Sequence, residues 1–458
     1  MCGIVGIYNN EEASNLAYLA LYALQHRGQE CAGIVASDGA TFRQHREMGL
    51  VNDVFTKRVL AALPGRNAIG HVRYSTSGES DIKNAYPFVI KYAHGWLAVS
   101  HNGNLTNYKV MRERLEREGS IFQATVDSEV VMHLIAKGGD GPLEDRIASA
   151  LGQVKGSYSF LFLTETRMIA ARDPFGFRPL VLGRLGDGYI VASETCAIDL
   201  VGGRFIREIE PGEVVILDKD GLRSFFPFKK QARKAHCIFE YVYFARPDSF
   251  IFGQNVYSVR KELGRQLAKE HPVEADMVVP VPDSGVPAAI GYAQESGIPF
   301  EMGMVRNHYV GRTFIEPRGE IRHFGVKIKL NPLKGAFEGK RVVCVDDSIV
   351  RGTTSMKIVK LLKEAGAREV HMRISSPPTI WPCFYGINTP TREELVANKL
   401  SLAEIREFIG ADSIGYLSKE GLFTPPVSKD QFCSACFTGD YPEELDDNPA
   451  IYKTARGS

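Results

Sequence analysis

Apolar positions along this chain follow two rhythms, which change near its middle. In the first half, short apolar or β-branched runs bounded by turn residues predict strands: Ile4-Val5-Gly6-Ile7, residues 31–36, residues 69–74 and residues 96–100. Between the first two, Leu16, Leu19, Ala20, Ala23 and Leu24 recur at helical spacing, predicting a helix over residues 15–25 with Ser14 as N-cap and Gly28 as stop. Val130, Val131 and Leu134 predict another helix, opened by Asp127-Ser128-Glu129. From residue 158 to 218 apolar segments alternate with turns, predicting more short strands. After Ser258 the rhythm becomes helix, strand, helix, strand. Its buried runs at 276–281, 341–345 and 369–374 indicate a parallel α/β sheet. The basic stretch 228–234 marks the change and divides the chain into residues 1–230 and 231–458. No internal repeat or low-complexity tract interrupts either part.

Composition narrows the class. At 458 residues the chain exceeds one ordinary core, and 44% hydrophobic with 24% charged residues is usual for globular proteins. Its net charge of +1 gives no bulk attraction to nucleic acid or membrane, so any anion site must be local. The start lacks a signal-peptide pattern and no apolar run is long enough to span a bilayer, which makes the cytoplasm the expected location. There the eight cysteines are expected to be buried, catalytic or metal-bound rather than disulfide-linked.

The first half concentrates reactive groups. Removal of Met1 leaves Cys2 with both a thiol and a free α-amine. An α-amine has an ordinary pKa of about 7.7–8.0, so a neutral fraction near pH 7 can act as base for the thiol. The plainer reading is a small residue at a processed end. His71 and Arg73 share one face of their strand. Arg73 offers a planar fork to a carboxylate, or is an ordinary ion-pair arginine. Asn102-Gly103 is either a tight turn or a side-chain amide beside a backbone N–H, a pair suited to an oxyanion. Asp127 is an N-cap by default and alternatively a partner for a substrate ammonium.

Taken in order, Met1-Cys2-Gly3-Ile4-Val5-Gly6-Ile7, His26-Arg27-Gly28-Gln29-Glu30, Gly70-His71-Val72-Arg73-Tyr74-Ser75-Thr76, His101-Asn102-Gly103-Asn104-Leu105 and Thr125-Val126-Asp127-Ser128-Glu129 resemble a class II glutamine amidotransferase domain. The resemblance implies a four-layer αββα Ntn-hydrolase (glutaminase) fold. It makes Cys2 the nucleophile and Asn102 with Gly103 the oxyanion hole. Arg73 and Asp127 would hold the carboxylate and ammonium of glutamine. It extends over residues 158–218, whose short strands are expected in the second sheet of that fold. Segments there such as Arg172-Asp173-Pro174-Phe175-Gly176 and Ala192-Ser193-Glu194 suggest no chemistry of their own.

In the second half, residues 342–355 are the most informative. A strand delivers Asp346 and Asp347 to its C-terminal edge, and Ser348, Arg351, Gly352, Thr353 and Thr354 follow into a helix starting near Thr353. Ligands bind at this edge of open α/β sheets. The loop N–H groups and helix start suit a phosphate, and the acids suit ribose hydroxyls directly or through Mg²⁺. A solvated acidic turn with a threonine cap is the bland alternative. The segment resembles the phosphoribosylpyrophosphate (PRPP) signature of type I phosphoribosyltransferases. That resemblance implies pyrophosphate near residues 282–285, Mg²⁺ among Ser284, Asp346 and Asp347, and a flexible loop over residues 306–329 closing on PRPP.

Cys31, Cys196 and Cys344 read as core, while Cys433-Ser434-Ala435-Cys436 is a ligand-spaced pair. With Cys237 and Cys383 it forms a quartet open to zinc, an iron–sulfur cluster or plain burial. One branch of the family resembled carries a [4Fe–4S] cluster on such a quartet. Relatives in that branch often have a short propeptide before the nucleophile; here Met1 alone precedes Cys2, and its removal should suffice if this start is native.

Together the resemblances imply an enzyme that converts glutamine, PRPP and water to 5-phospho-β-D-ribosylamine, pyrophosphate and glutamate, the first committed step of de novo purine biosynthesis. They also imply feedback inhibition by purine nucleotides and a homotetramer. Other class II amidotransferases, such as glucosamine-phosphate synthase or asparagine synthetase, need a different second half, which the Asp346-Asp347 loop does not fit. A PRPP-sensing regulatory protein is the rival outside enzymes; intact Cys2, Arg73, Asn102 and Asp127 argue against it.

Overall fold

The computed structural model describes residues 1–74, 80–229, 231, 233–307, 330–333, 335–389, 391–424 and 427–445. Strand Gly3–Tyr8 is buried at every position because both of its faces are covered. It lies at the centre of a seven-stranded antiparallel sheet ordered Arg204–Glu208, Val181–Leu185, Gly188–Ala192, Gly3–Tyr8, Asn67–Arg73, Cys31–Ser37, Phe42–Met48. A six-stranded antiparallel sheet runs Gly221–Phe225, Val214–Asp218, Met168–Arg172, Gly156–Leu163, Gly95–Leu105, Phe88–Tyr92. Ile4, Ile69 and Val191 of the first sheet meet Ala98, Leu161 and Val215 of the second between them. One residue on, Val5 and Ile7 face the other way and pack under helix Ala13–Ala23, as strand periodicity requires. Helices Tyr108–Arg117, Glu129–Lys137 and Leu143–Leu151 cover the outer face of the six-stranded sheet. The result is the four-layer αββα arrangement expected.

Local expectations change in four places. The strands of residues 158–218 do not all join the second sheet: Val181–Leu185, Gly188–Ala192 and Arg204–Glu208 extend the first. Asn102-Gly103 is not a turn but the continuation of strand Gly95–Leu105, with Gly103 paired to Tyr158. The first helix begins at Ala13, with Glu12 as its cap. Ser14 sits inside it and donates to Leu63 O instead, and a 3₁₀ turn, Gln25–Arg27, separates the helix from Gly28. Asp127 does not cap helix Glu129–Lys137; it binds backbone from another strand, as described below.

In the second half, strands Met277–Pro280, Arg341–Asp346, Glu369–Ile374 and Ser413–Tyr416 form a parallel sheet in that order. Helices Val256–Glu270 and Val286–Ser296 pack on one face, and Thr353–Glu364 and Leu402–Ile409 on the other. Both faces are therefore apolar, which explains the unbroken valine runs. The halves are joined closely: Cys237 N donates to Phe177 O at 3.0 Å, and Asn104 Nδ2 to Phe384 O at 2.9 Å. Gly386, at φ +99°, lies against the backbone of Gly103, where a Cβ would come within 3.0 Å. Among the described residues no helix is long and apolar enough to cross a membrane.

Candidate functional site

The start of strand Gly3–Tyr8, the end of strand Asn67–Arg73 and strand Gly95–Leu105 of the second sheet converge on Cys2. Its backbone N–H donates to Asn102 Oδ1 at 3.2 Å, its thiol donates to Tyr74 O at 3.7 Å, and its carbonyl accepts from Arg27 Nε at 3.0 Å. Burial pushes the thiol pKa up, against the pull of the nearby amino terminus, Arg73 and a backbone hydrogen bond. The Met1 amine is itself enclosed. Burial above all, helped by Arg178 and Arg27, pushes it down to about 5.

Asn102 is wholly buried, and among the described residues its Nδ2 has no hydrogen-bond acceptor. Gly103 leaves no room for a side chain, because a Cβ would strike Ser157 O. Arg73 is 2% exposed, with Glu30 at 3.4 Å. Asp127 accepts from Leu105 N at 2.7 Å and Ser128 N at 2.9 Å, with His101 Nδ1 at 3.6 Å. Burial opposes its ionisation, but His101 and the two N–H donors outweigh it and hold the carboxyl below its usual range. His71 stacks on Tyr86 at 4.4 Å, and burial, with His101 and Arg73 nearby, keeps its pKa well below the usual value. Residues 75–79, which continue the Arg73 motif, lie outside the described residues.

A buried charge network behind Cys2 was not evident from sequence. Arg27 donates to Glu194 at 2.5 Å and to both oxygens of Glu240, at 3.0 and 2.8 Å. Arg178 reaches Glu240 at 3.4 Å and also bonds Tyr385 O. Burial opposes ionisation of Glu194, but His26 and Arg27 hold its pKa far below the carboxylate range. Arg27 lies in the quoted His-Arg-Gly-Gln-Glu motif and Glu194 in Ala-Ser-Glu. Their contact, 167 positions apart, is what the sequence does not display.

The second site forms where strand Arg341–Asp346 ends. Asp346 and Asp347 are both 7% exposed, and burial pushes both carboxyls upward. Asp347 adds to the rise at Asp346. Ser284, Ser348 and Arg260 temper the rise at Asp347, to which Ser348 donates at 2.6 Å. Gly352 precedes helix Thr353–Glu364 at φ +77°, in the left-handed region that favours glycine, and serves as its cap in place of a threonine side chain. Thr353, Thr354 and Arg351 are exposed at the helix start, with Arg351 3.4 Å from Glu394. The expected loop beyond Asn307, residues 308–329, lies outside the described residues.

The four remaining cysteines share one buried region. Cys237 and Cys433 are register partners in a short parallel pair, His236–Cys237 beside Phe432–Cys433. Cys436 O accepts from Ile380 N and Trp381 N, holding the Cys383 loop alongside. Burial pushes Cys237 up to about 11, and Cys433 and Cys436 also upward, each adding to its neighbours. Among the described residues no three such side chains are grouped to hold a metal ion. Zinc bound at about 2.3 Å needs its sulfurs roughly 3.8 Å apart. Cys436 has Cys237, Cys433 and Cys383 as electrostatic neighbours, so the four thiols lie in one region. Two carboxylates are sufficient protein ligands for Mg²⁺, which keeps waters and substrate oxygens.

Residues 71–199 match a glutamine amidotransferase domain family and residues 253–375 a phosphoribosyl transferase domain family. The chain is 55% identical to "Amidophosphoribosyltransferase 1, chloroplastic" of Arabidopsis thaliana, over 100% of this chain and 80% of that protein. It is 52% identical to "Amidophosphoribosyltransferase" of Bacillus subtilis, over 97% of this chain and 94% of that protein. A solved structure of the glutamine PRPP amidotransferase from B. subtilis, complexed with ADP and GMP, superposes with a TM-score of 0.92 at 51% identity, covering 98% of this chain and 99% of the other.

Proposed function

This chain belongs to the amidophosphoribosyltransferase family, enzymes of the first step of purine biosynthesis, and from that membership we propose how its residues divide the work. The reaction moves the amide nitrogen of glutamine to PRPP, yielding 5-phosphoribosylamine, glutamate and pyrophosphate.

Cys2, freed of Met1, is the nucleophile. Its α-amine takes the thiol proton and the thiolate attacks the side-chain amide of glutamine. The carbonyl oxygen becomes an oxyanion received by Asn102 Nδ2 and the Gly103 N–H. Collapse expels ammonia and leaves a thioester, which water hydrolyses to glutamate. Arg73 holds the substrate carboxylate, and the lone pairs remaining on Asp127 hold its ammonium. One observation carries this reading: Asn102 Nδ2 is a buried donor with no acceptor among the described residues, on the residue whose oxygen already receives the Cys2 N–H. Such a donor is costly unless a ligand satisfies it.

At the second site ammonia attacks C1 of PRPP and displaces pyrophosphate, and the protein's part is positioning and charge stabilisation. Asp346 and Asp347, with Ser284 beside them, hold the ribose hydroxyls and Mg²⁺. Ser348, Arg351, Gly352, Thr353 and Thr354 take the 5-phosphate. The raised carboxyls support this assignment, since a pair that resists ionisation when empty is relieved by a cation. Mg²⁺, when bound, neutralises charge on the departing pyrophosphate.

We assign Cys237, Cys383, Cys433 and Cys436 to a [4Fe–4S] cluster that ties the C-terminal tail to the junction near residue 230, between a glutaminase part (1–230) and a phosphoribosyltransferase part (231–458). Purine nucleotides as inhibitors, a homotetramer and a cytoplasmic location belong to the same reading. Eight free cysteines accord with a reducing compartment.

The test is anaerobic glutamate release from glutamine, with and without PRPP and Mg²⁺. Strong stimulation by PRPP is expected. Equal rates under both conditions overturn the coupling of the two sites, and absence of any release from Met1-processed protein overturns the assignment of Cys2. Iron and acid-labile sulfide in stoichiometric amounts test the quartet separately; zinc there overturns the cluster.

A further inference from the structure

Loss of Met1 makes Cys2 a chain end, and chain ends fray unless they are tied down. The Cys2 carbonyl is tied by Arg27 Nε at 3.0 Å, so the nucleophile is placed only as well as Arg27 is. An arginine side chain has many rotamers, and its position must be fixed from outside. Glu194 takes Arg27 Nη1, and Glu240 Oε1 takes Nη2 at 2.8 Å. The same Glu240 oxygen accepts from Arg178 Nη1 at 3.4 Å. Arg178 is held in turn by Tyr385 O, which accepts from its Nε at 3.1 Å and also from its Nη2.

Arg178 comes from the segment between strands Met168–Arg172 and Val181–Leu185, to which the sequence gives no chemistry of its own. Asp173 Oδ1 accepts from Phe175 N at 3.0 Å and Gly176 N at 2.7 Å, closing the turn that precedes it. Tyr385 sits in a segment pressed on the oxyanion strand: Phe384 O accepts from Asn104 Nδ2 at 2.9 Å, and Gly386 lies against Gly103. The segment that bears on the oxyanion pair therefore also holds the nucleophile, through Arg178, Glu240 and Arg27. Arg27, Arg178, Glu240 and Tyr385 are each at most 2% exposed, so water does not replace a lost link. Arg178 Nη1 also meets Met1 Sδ, which puts its positive charge beside the residue preceding Cys2. A cation there favours the thiolate.

We propose that Arg178 is a positioning residue for the glutamine reaction, holding the Cys2 carbonyl in register with the oxyanion pair through Glu240 and Arg27. The inference rests on Cys2 as the nucleophile.

The test compares Arg178→Met and Arg178→Lys with the parent, each as the intact, Met1-processed enzyme. Three rates are measured: glutamate release from glutamine, phosphoribosylamine synthesis from ammonia and PRPP, and alkylation of Cys2 by iodoacetamide, followed by mass spectrometry of the N-terminal peptide. Arg178→Met should lower kcat for glutamate release about tenfold to a hundredfold with little change in KM. It should also slow Cys2 alkylation, while ammonia-driven synthesis stays close to the parent rate. A merely structural arginine would lose both activities together. Arg178→Lys keeps the charge but not the fork, guards against a folding defect in the methionine variant, and should recover part of the lost kcat. Parent-like glutamate release by Arg178→Met, equal loss of the two activities in both variants, or no recovery with lysine would each overturn the proposal. A parent that releases no glutamate overturns instead the assignment of Cys2, and this inference with it.

Discussion

Asn102 is the residue at which one substitution should speak most clearly. Asn102→Ala removes a buried donor that stabilises charge only as it develops, so kcat for glutamate release should fall about 10²–10³-fold with little change in KM. An unchanged kcat would remove it from the oxyanion hole. The same pocket sets a pH dependence. The base works only when unprotonated, and an amine whose pKa is lowered stays unprotonated to lower pH. A Cys2 amine held in the surroundings that lower the Met1 amine should place the acid limb of kcat/KM for glutamine below the ordinary amine range of about 8. A limb near 8 would mean that the Cys2 amine is solvated. The residues proposed for the glutamine chemistry, Cys2, Arg73, Asn102 and Asp127, could be named from sequence because each stands in a motif whose residue types suit the proposed role. Arg27, Glu194 and Glu240 could not, because each is explained only by a partner far along the chain. His101, the partner that helps hold Asp127 ionised, was quoted in its motif without a role for the same reason.

At the level of elements, the π-helical turn Glu240–Phe244 links the two sites. Its first residue takes Arg27, which holds the Cys2 carbonyl, and Arg260 donates to Tyr241 O within it at 2.5 Å and to Ala245 O just after it at 2.8 Å. Arg260 in turn helps keep the Asp347 carboxyl from rising further. Glu240→Gln leaves two buried guanidinium groups sharing one fewer carboxylate. Breaking a buried pair from one side costs about 3–5 kcal/mol, so the urea midpoint should drop substantially and PRPP should stimulate glutamate release less. A variant as stable and as responsive as the parent would make the turn mere filler. Element types were readable from periodicity, and helix Thr353–Glu364 begins where expected. Sheet membership was not readable: strands over residues 158–218 look alike, and only pairing across distance sends three of them to the first sheet. Asn102-Gly103 looks like a turn because its composition is that of one. Tertiary pairing with Ser159 and Tyr158 overrides the local signal.

Across the whole molecule the two chemistries should separate by mutation. Cys2→Ala should abolish glutamine use yet leave ammonia-driven synthesis of phosphoribosylamine; loss of both would contradict distinct sites. Asp346→Asn with Asp347→Asn should reduce PRPP turnover about a hundredfold or more while leaving the thermal midpoint unchanged or higher, because both carboxyls resist ionisation when the site is empty. Retained turnover would remove them from the site. The two-part organisation was legible in the change of rhythm, whereas the closeness of the join was not. Gly386 lies back to back with Gly103, and Glu240 neutralises an arginine belonging to the other half. This has a consequence for heredity. A glutaminase half recombined onto a different acceptor module would carry Arg27 without Glu240, and most side chains at the position of Gly386 would displace the strand that forms the oxyanion pocket. A gene cut near residue 230 would therefore yield two incomplete products rather than two interchangeable modules.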